Sequence, residues 1–325
     1  MKIAIIGAGA IGGYVGVRLA LAAEDVTFIV RGANLEAIRA NGMKLVMADG
    51  REHVARNVTA TNDYAAAGSQ DIVILAMKAH QVEAVADELP LLFGPQTVVV
   101  TMQNGIPFWY FHKQGGEFAG SVVRSVDPNG LLAAKIPPER IIGCVVYPAS
   151  ELVAPGVVRH VEGDRFPLGE LDGALSERVT RVSECFVNAG FKAPVLDDIR
   201  AEIWLKLWGN LTFNPISALS RSTLSDICQY PLTRELATAM MTEAQAIAHK
   251  LGISFRIGLE KRIAGAEKIG RHKTSMLQDV EAGRTPEIDA LVGSVVELGR
   301  LTRTHTPHID AVYAVTKLLA RTSCN

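Results

Sequence analysis

The sequence predicts an α/β domain followed by an all-helical domain, and three observations carry that expectation. Strand-like and helix-like segments alternate through the first half of the chain. A glycine-rich turn joins the first strand signal to the first helix signal. Near residue 195 the strand signals nearly vanish and helical spacing takes over. With 325 residues, and about 150 residues per domain, two domains are expected. The boundary falls between Lys192 and Asp198, dividing the chain into residues 1–195 and 196–325.

Each element has its own signal. Residues 2–6 are a short β-branched run, followed by glycines. Residues 14–22 have helical spacing, and residues 26–30 form a second β-branched run. Strand, turn, helix and strand in about 30 residues is the size of a βαβ unit. The strand signal returns at 71–76 and 97–102, with a helical stretch at 81–89 between them. Strands alternating with helices imply a parallel sheet covered on both faces. Between Met43 and Thr61 the chain reads as a hairpin turning at Asp49-Gly50. Residues 141–170 carry further short strands broken by Pro148, Pro155-Gly156 and Pro167. In the second half, Leu236, Met240, Ala244, Ile247 and Leu251 share one helical face that ends at Gly252. Thr285-Pro286 and Thr306-Pro307 each read as an N-cap and first helical residue.

Composition narrows the function classes. Hydrophobic residues make up 48% and charged residues 21%, enough apolar material for a large core. Lys plus Arg total 33 against 34 for Asp plus Glu, so no polybasic excess exists to hold nucleic acid or an anionic membrane. Cys144, Cys185, Cys228 and Cys324 are far apart and form no CxxC pair, which fits a reducing, cytoplasmic setting. No apolar run approaches the roughly 18 residues of a membrane helix. Lys2 and the apolar stretch ending near Ala20-Leu21-Ala22 mimic a signal peptide, but glycines and Arg18 interrupt it. The histidines form no HxxxH or HExxH pair, so no metal site is expected.

Gly7, Gly9 and Gly12 form G-x-G-x-x-G directly after the first strand. In that setting one glycine makes the tight turn, one lets a pyrophosphate approach the backbone, and one lets helix pack on strand. Ala8, Ala10 and Ile11 complete the loop, and the helix start offers free N–H groups to phosphate. The plain alternative is a glycine-rich packing turn. An acid about 20 residues past the glycines would accept from the ribose of NAD. Here the second strand ends in Arg31-Gly32 instead. A guanidinium fork there suits the 2′-phosphate of NADP, although a solvated Arg would look the same. Asn34 could cap the next helix. Lys78 and Asn104 follow the third and fourth strands, where open α/β sheets bind ligands, and either could also be an ordinary loop residue.

The segment from Ile199 to Pro215 carries the richest chemistry. Ile203, Trp204, Leu207, Trp208 and Leu211 make an apolar face. Lys206, Asn210 and Asn214 are spaced i, i+4, i+8 and form one slowly drifting stripe. The two amides therefore turn toward the apolar face, where an unpartnered amide costs on the order of 1–3 kcal/mol. A ligand or a structural network would satisfy them equally well. Glu287 suits the first turn of a helix dipole, and Ser275 could cap a helix or bind a carboxylate.

Together these residues resemble the ketopantoate reductase (2-dehydropantoate 2-reductase) family over nearly the whole chain. The resemblance rests on the glycine loop, Arg31, Lys78, Gln103-Asn104-Gly105, residues 206–215, residues 275–279 and Glu287-Ile288-Asp289. It implies a Rossmann-type NADP-binding domain, an all-helical domain, and an active site between them. It also implies NADPH-dependent reduction of a 2-oxo acid, ketopantoate foremost, to a 2-hydroxy acid on the path to pantothenate and coenzyme A. In that scheme Lys206 is the general acid, and Glu287 positions Lys206 or a substrate hydroxyl. Asn210, Asn214 and Ser275 hold substrate, while the glycine loop, Arg31, Lys78 and Asn104 hold cofactor. The expected partner is a small 2-oxo acid, with a homodimer as the assembly to test.

Two features depart from the family. Thr223-Leu224 stands where another Asn is often found. Phe108-Trp109-Tyr110-Phe111-His112 is unusually aromatic. It reads as a loop tucked on the sheet or as a cleft wall suited to a larger oxo acid. Two alternatives accompany the main reading: a reductase of another 2-oxo acid, and a catalytically silent NADP-binding sensor. Retention of Lys206 and Glu287 argues against the sensor.

Overall fold

The computed structural model describes residues 1–323, so Cys324 lies outside the described residues. The chain separates into two compact units. One comprises Met1–Gln103, His112–Gln114 and Gly130–Ile199, and the other Asn104–Phe111, Gly115–Asn129 and the chain from Arg200 onward.

The first unit is built on eleven strands: β1 (Lys2–Ile6), β2 (Asp25–Ile29), β3 (Met43–Val46), β4 (Glu52–Ala55), β5 (Val58–Thr61), β6 (Gln70–Leu75), β7 (Phe93–Thr101), β8 (Ile141–Cys144), β9 (Ala149–Ala154), β10 (Val157–Glu162) and β11 (Leu168–Gly169). Seven form one sheet in the order β11-β8-β7-β6-β1-β2-β5. All its pairings are parallel except that of β11 with β8. Its central strands are near-continuous apolar runs because both faces are covered, and Ile3 to Ile6 are buried without alternation. The chain leaves β1 toward β2 on one side and later returns to β6 on the other. That reversal is the topological switch point, where an open α/β sheet holds its ligand beyond the carboxyl ends of the strands.

The helix α1 (Ala10–Leu21) lies between this sheet and a second one, ordered β4-β3-β10-β9. Its glycines explain how it fits. A Cβ on Gly16 would overlap the Phe28 ring of the large sheet, and one on Gly13 would overlap Met43 of the small sheet. The apolar stretch that mimics a signal peptide is thus the buried start of this core.

Three local expectations are corrected. The hairpin is real and turns at Gly50, but it closes with β4; Val58–Thr61 joins the large sheet beside β2. The helix expected at 81–89 is only Ala79–Val82, continued by a 3-10 turn at Glu83–Val85. The helix start expected at Thr285-Pro286 is displaced to Ile288, where the chain enters a π turn, Asp289–Gly293.

The second unit is helical, with long helices at Ile199–Ser220, Pro231–Lys250 and Pro307–Ser323. Trp204 and Trp208 are fully buried. Trp208 donates to the Met241 carbonyl at 2.7 Å and stacks on Phe255 with ring centroids 4.1 Å apart. Within the aromatic run, the three middle residues pack inside the helical unit, while Phe108 and His112 are half-buried. Trp109, Tyr110 and Phe111 are buried, and the Tyr110 hydroxyl accepts from the Trp204 indole at 2.7 Å. Arg200 donates to the Tyr110 carbonyl at 2.7 Å. Among the described residues no helix is long and apolar enough to cross a membrane.

Candidate active site

The glycine loop sits at the carboxyl end of β1. Gly7 has φ +97, a region that favours glycine, and a Cβ there would press on Met77 at 3.3 Å. A Cβ on Gly12 would overlap the Gly7 carbonyl, so this glycine lets α1 start directly against the turn. Gly9 is different: a Cβ there meets nothing within 4 Å, leaving its backbone open to approach. Helix α1 has Gly9 as N-cap, no side-chain cap and no acid in its first turn. Its leading N–H groups thus form an electropositive end with no anionic side chain of its own helix beside it. Ala8, Ala10 and Ile11 supply backbone to the same turn. These features fit a dinucleotide's pyrophosphate.

Arg31 is exposed just beyond β2. Burial pushes the nearby Tyr64 phenol up to about 12; the Glu88 charge adds to this and the Arg31 charge opposes it. Asn34 does not cap the helix Ala33–Asn41, whose N-cap is Gly32. It instead donates to the Ala8 carbonyl at 3.1 Å and accepts from the Gly156 N–H at 2.8 Å, fastening that helix to the glycine loop. Lys78 is the N-cap of Ala79–Val82, and its backbone N–H donates to Gln81 at 3.2 Å. Gln103, which the resemblance groups with Asn104 on the nicotinamide side, donates to the Leu75 and Met77 carbonyls at 2.8 and 3.0 Å. It pins the end of β6 beside the glycine loop.

The second unit gathers a separate constellation. Asn104 belongs to it, although the sequence grouped this residue with the cofactor loop. Lys206 Nζ donates to Asn104 Oδ1 at 2.6 Å, and Asn104 Nδ2 reaches Glu287 Oε2 at 3.5 Å. The amide thus turns its oxygen to the cation and its nitrogen to the carboxylate, which is the only consistent orientation. Lys206 and Glu287 are half-buried. Asn210 is also half-buried, whereas Asn214 is 5% exposed and its Nδ2 has no hydrogen-bond partner. A buried, unpaired amide of this kind is costly unless something else comes to it. Pro215 follows inside the helix and has no N–H to give the Leu211 carbonyl.

Ser275 is exposed as the first residue of the helix Ser275–Glu281, and the cap is Thr274, whose hydroxyl accepts from Leu277 N–H at 3.3 Å. Thr223 has a structural role: it is the N-cap of Leu224–Gln229 in a reciprocal capping box with Asp226. Glu287 precedes the π turn and so is not in the first turn of a helix.

A parallel sheet with a glycine loop at its switch point, continued by a helical unit carrying a Lys–Asn–Glu cluster, defines a Rossmann-type α/β protein with an all-helical partner unit. Family models agree with both parts: "Ketopantoate reductase PanE/ApbA" matches residues 3–173, and "Ketopantoate reductase PanE/ApbA C terminal" matches residues 198–320. The chain is 56% identical to a 2-dehydropantoate 2-reductase of Mesorhizobium japonicum, over 98% of each chain. It resembles the crystal structure of a candidate ketopantoate reductase from Ralstonia solanacearum at 42% identity and TM-score 0.94, covering 99% of this chain and 98% of that one. A 2-dehydropantoate 2-reductase from Methylococcus capsulatus matches at 29% identity and TM-score 0.85, covering 100% of this chain and 98% of that one. The chain belongs to the ketopantoate reductase family.

Proposed function

We propose that the protein reduces 2-dehydropantoate (ketopantoate) to pantoate with NADPH, in the synthesis of pantothenate and coenzyme A. The observation that carries this reading is Lys206 Nζ, held 2.6 Å from Asn104 Oδ1 with Glu287 on the far side of the same amide. The 56% identity to a 2-dehydropantoate 2-reductase supports the substrate. NADPH, when bound, would supply the hydride for the ketone carbon. Lys206 gives the proton from Nζ to the ketone oxygen and stabilises the charge that develops there. An ammonium is suited to both tasks, since with an unperturbed pKa near about 10.4 it is protonated at neutral pH. Asn104 directs that ammonium by accepting a hydrogen bond from it. Glu287 accepts from the other end of the same amide and so keeps the Asn104 oxygen turned to Lys206. Asn214 offers its buried, unpaired Nδ2 to a substrate hydroxyl or carboxylate, with Asn210 one turn before it and Ser275 as a third contact. Gly7, Ala8, Gly9, Ala10, Ile11 and Gly12 hold the pyrophosphate, Arg31 takes the 2′-phosphate, and Lys78 and Asn104 act on the nicotinamide side. Cys144, Cys185 and Cys228, none of them in a disulfide, suit a reducing, cytoplasmic setting.

The test is loss of NADPH absorbance against a panel of 2-oxo acids. Ketopantoate is expected to give the highest kcat/KM. A branched or aromatic oxo acid at the head of the panel would replace the substrate and keep the mechanism. Tight NADPH binding without turnover of any member would favour the silent sensor.

A further inference from the structure

Asn104 lies in a long excursion between β7 and the helix Leu131–Lys135, and the structure explains how one side chain in it is aimed. Gly105 has φ +92, and a Cβ there would overlap the carbonyl carbon and oxygen of Ala290. The next residue, Ile106, donates its N–H to that same Ala290 oxygen at 3.0 Å. Ala290 belongs to the π turn Asp289–Gly293, which begins two residues past Glu287. In an α-helix the Ser294 N–H would go to Ala290, but here it goes to Asp289. The wider turn thus releases the Ala290 carbonyl, which takes the Ile106 N–H and the Ser294 hydroxyl at 2.7 Å.

The π turn is itself held. Tyr313 donates to Asp289 at 2.7 Å and Lys317 pairs with the same carboxylate at 2.9 Å. One turn further on, Glu297 accepts from the Arg124 and Ser125 N–H groups at 2.8 Å each, clamping the far part of the excursion to the same helical segment.

We propose that Gly105 and the π turn form a dock that sets Asn104 against Lys206 and Glu287, which makes Gly105 a positioning residue for the reaction. Only glycine permits both the backbone angle and the approach to Ala290, and Asn104 is its immediate neighbour. The dock rests on the functional reading above for its consequence in turnover, but its geometry has a readout of its own.

The experiment compares Gly105→Ala with Gly116→Ala. Gly116 has φ +88 in the same excursion, yet a Cβ there meets nothing within 4 Å. Both substitutions carry the backbone cost, and only the first also displaces the dock. Steady-state kinetics, NADPH affinity and the rate of amine acylation at Lys206, read by peptide mass spectrometry, are measured for both. Gly105→Ala is expected to lose about 100-fold in kcat with KM little changed, the scale for roughly an ångström of misplacement. Lys206 should acylate faster as Asn104 leaves it. Gly116→Ala should keep wild-type kcat and acylation rate. Equal behaviour of the two variants would overturn the proposal. If the wild-type protein turns over no 2-oxo acid, the functional reading fails and the acylation comparison still decides the dock. If Gly105→Ala does not fold, hydrogen exchange of the wild-type protein decides. A protected Ile106 amide supports the dock, and exchange at the rate of an open loop overturns it.

Discussion

Lys206 is held by Asn104, which in turn reaches Glu287, and both are far away in sequence. A hydrogen bond of 2.6 Å to Asn104 Oδ1 is charge-assisted and fixes where the ammonium points. Lys206→Ala is expected to retain fold and NADPH affinity while kcat falls about 10²–10⁴-fold, the usual worth of general acid catalysis. Fluorescence titration and steady-state rates check the two halves of that statement. Arg31 stands apart: it is exposed and belongs to the sheet unit. Arg31→Ala should cost about 1.5–3 kcal/mol in NADPH binding, or roughly 10- to 100-fold, and leave NADH binding unchanged. Parallel titrations with both cofactors decide it, and equal losses would remove Arg31 from 2′-phosphate recognition.

Among the elements, the helix starts show which polar residues have a capping task. Thr274 caps Ser275–Glu281, and its neighbour Ser275 is exposed with no capping task. Thr274→Ala should destabilise the protein by about 1 kcal/mol in urea titration. Ser275→Ala should leave the urea midpoint in place and raise KM for the oxo acid; an unchanged KM would take Ser275 out of substrate binding. The aromatic run is a packing element of the helical unit, with Trp109 3% exposed. Trp109→Ala should cost about 3–5 kcal/mol of stability. The ranking of oxo acids should survive in whatever fraction folds. This burial leaves only Phe108 and His112 of the run to argue for a larger substrate. The π turn shows an element that apolar spacing misreports, because Ile288, Leu291, Val292, Val295 and Val296 satisfy helical periodicity with an extra residue inserted.

At the scale of the whole molecule, the described cysteines report on integrity. Cys144, Cys185 and Cys228 are buried and form no disulfide. Burial pushes the Cys185 thiol up to about 12 and the Cys228 thiol up to about 11, so neither is a thiolate near neutral pH. A Cys324→Ser protein should therefore resist thiol-specific reagents when native and release three equivalents on unfolding. Fast native labelling would mean that the core opens readily.

The sequence by itself determined the order of the two folds, the glycine loop at the end of β1, and the stripe of Lys206, Asn210 and Asn214. Those features depend on local spacing: periods of two and 3.6 residues, and turns that only glycine allows. It did not determine that Val58–Thr61 leaves the hairpin for the large sheet, since pairing partners are chosen by packing across the fold. Nor did it separate Thr274 from Ser275, two adjacent residues with similar capping chemistry. Only tertiary structure brought Asn104 to Lys206 and Glu287, because those contacts join residues 102 and 183 positions apart. Only tertiary structure explained Gly105, whose close neighbour Ala290 is set by a π turn with no signature in the spacing of its apolar residues.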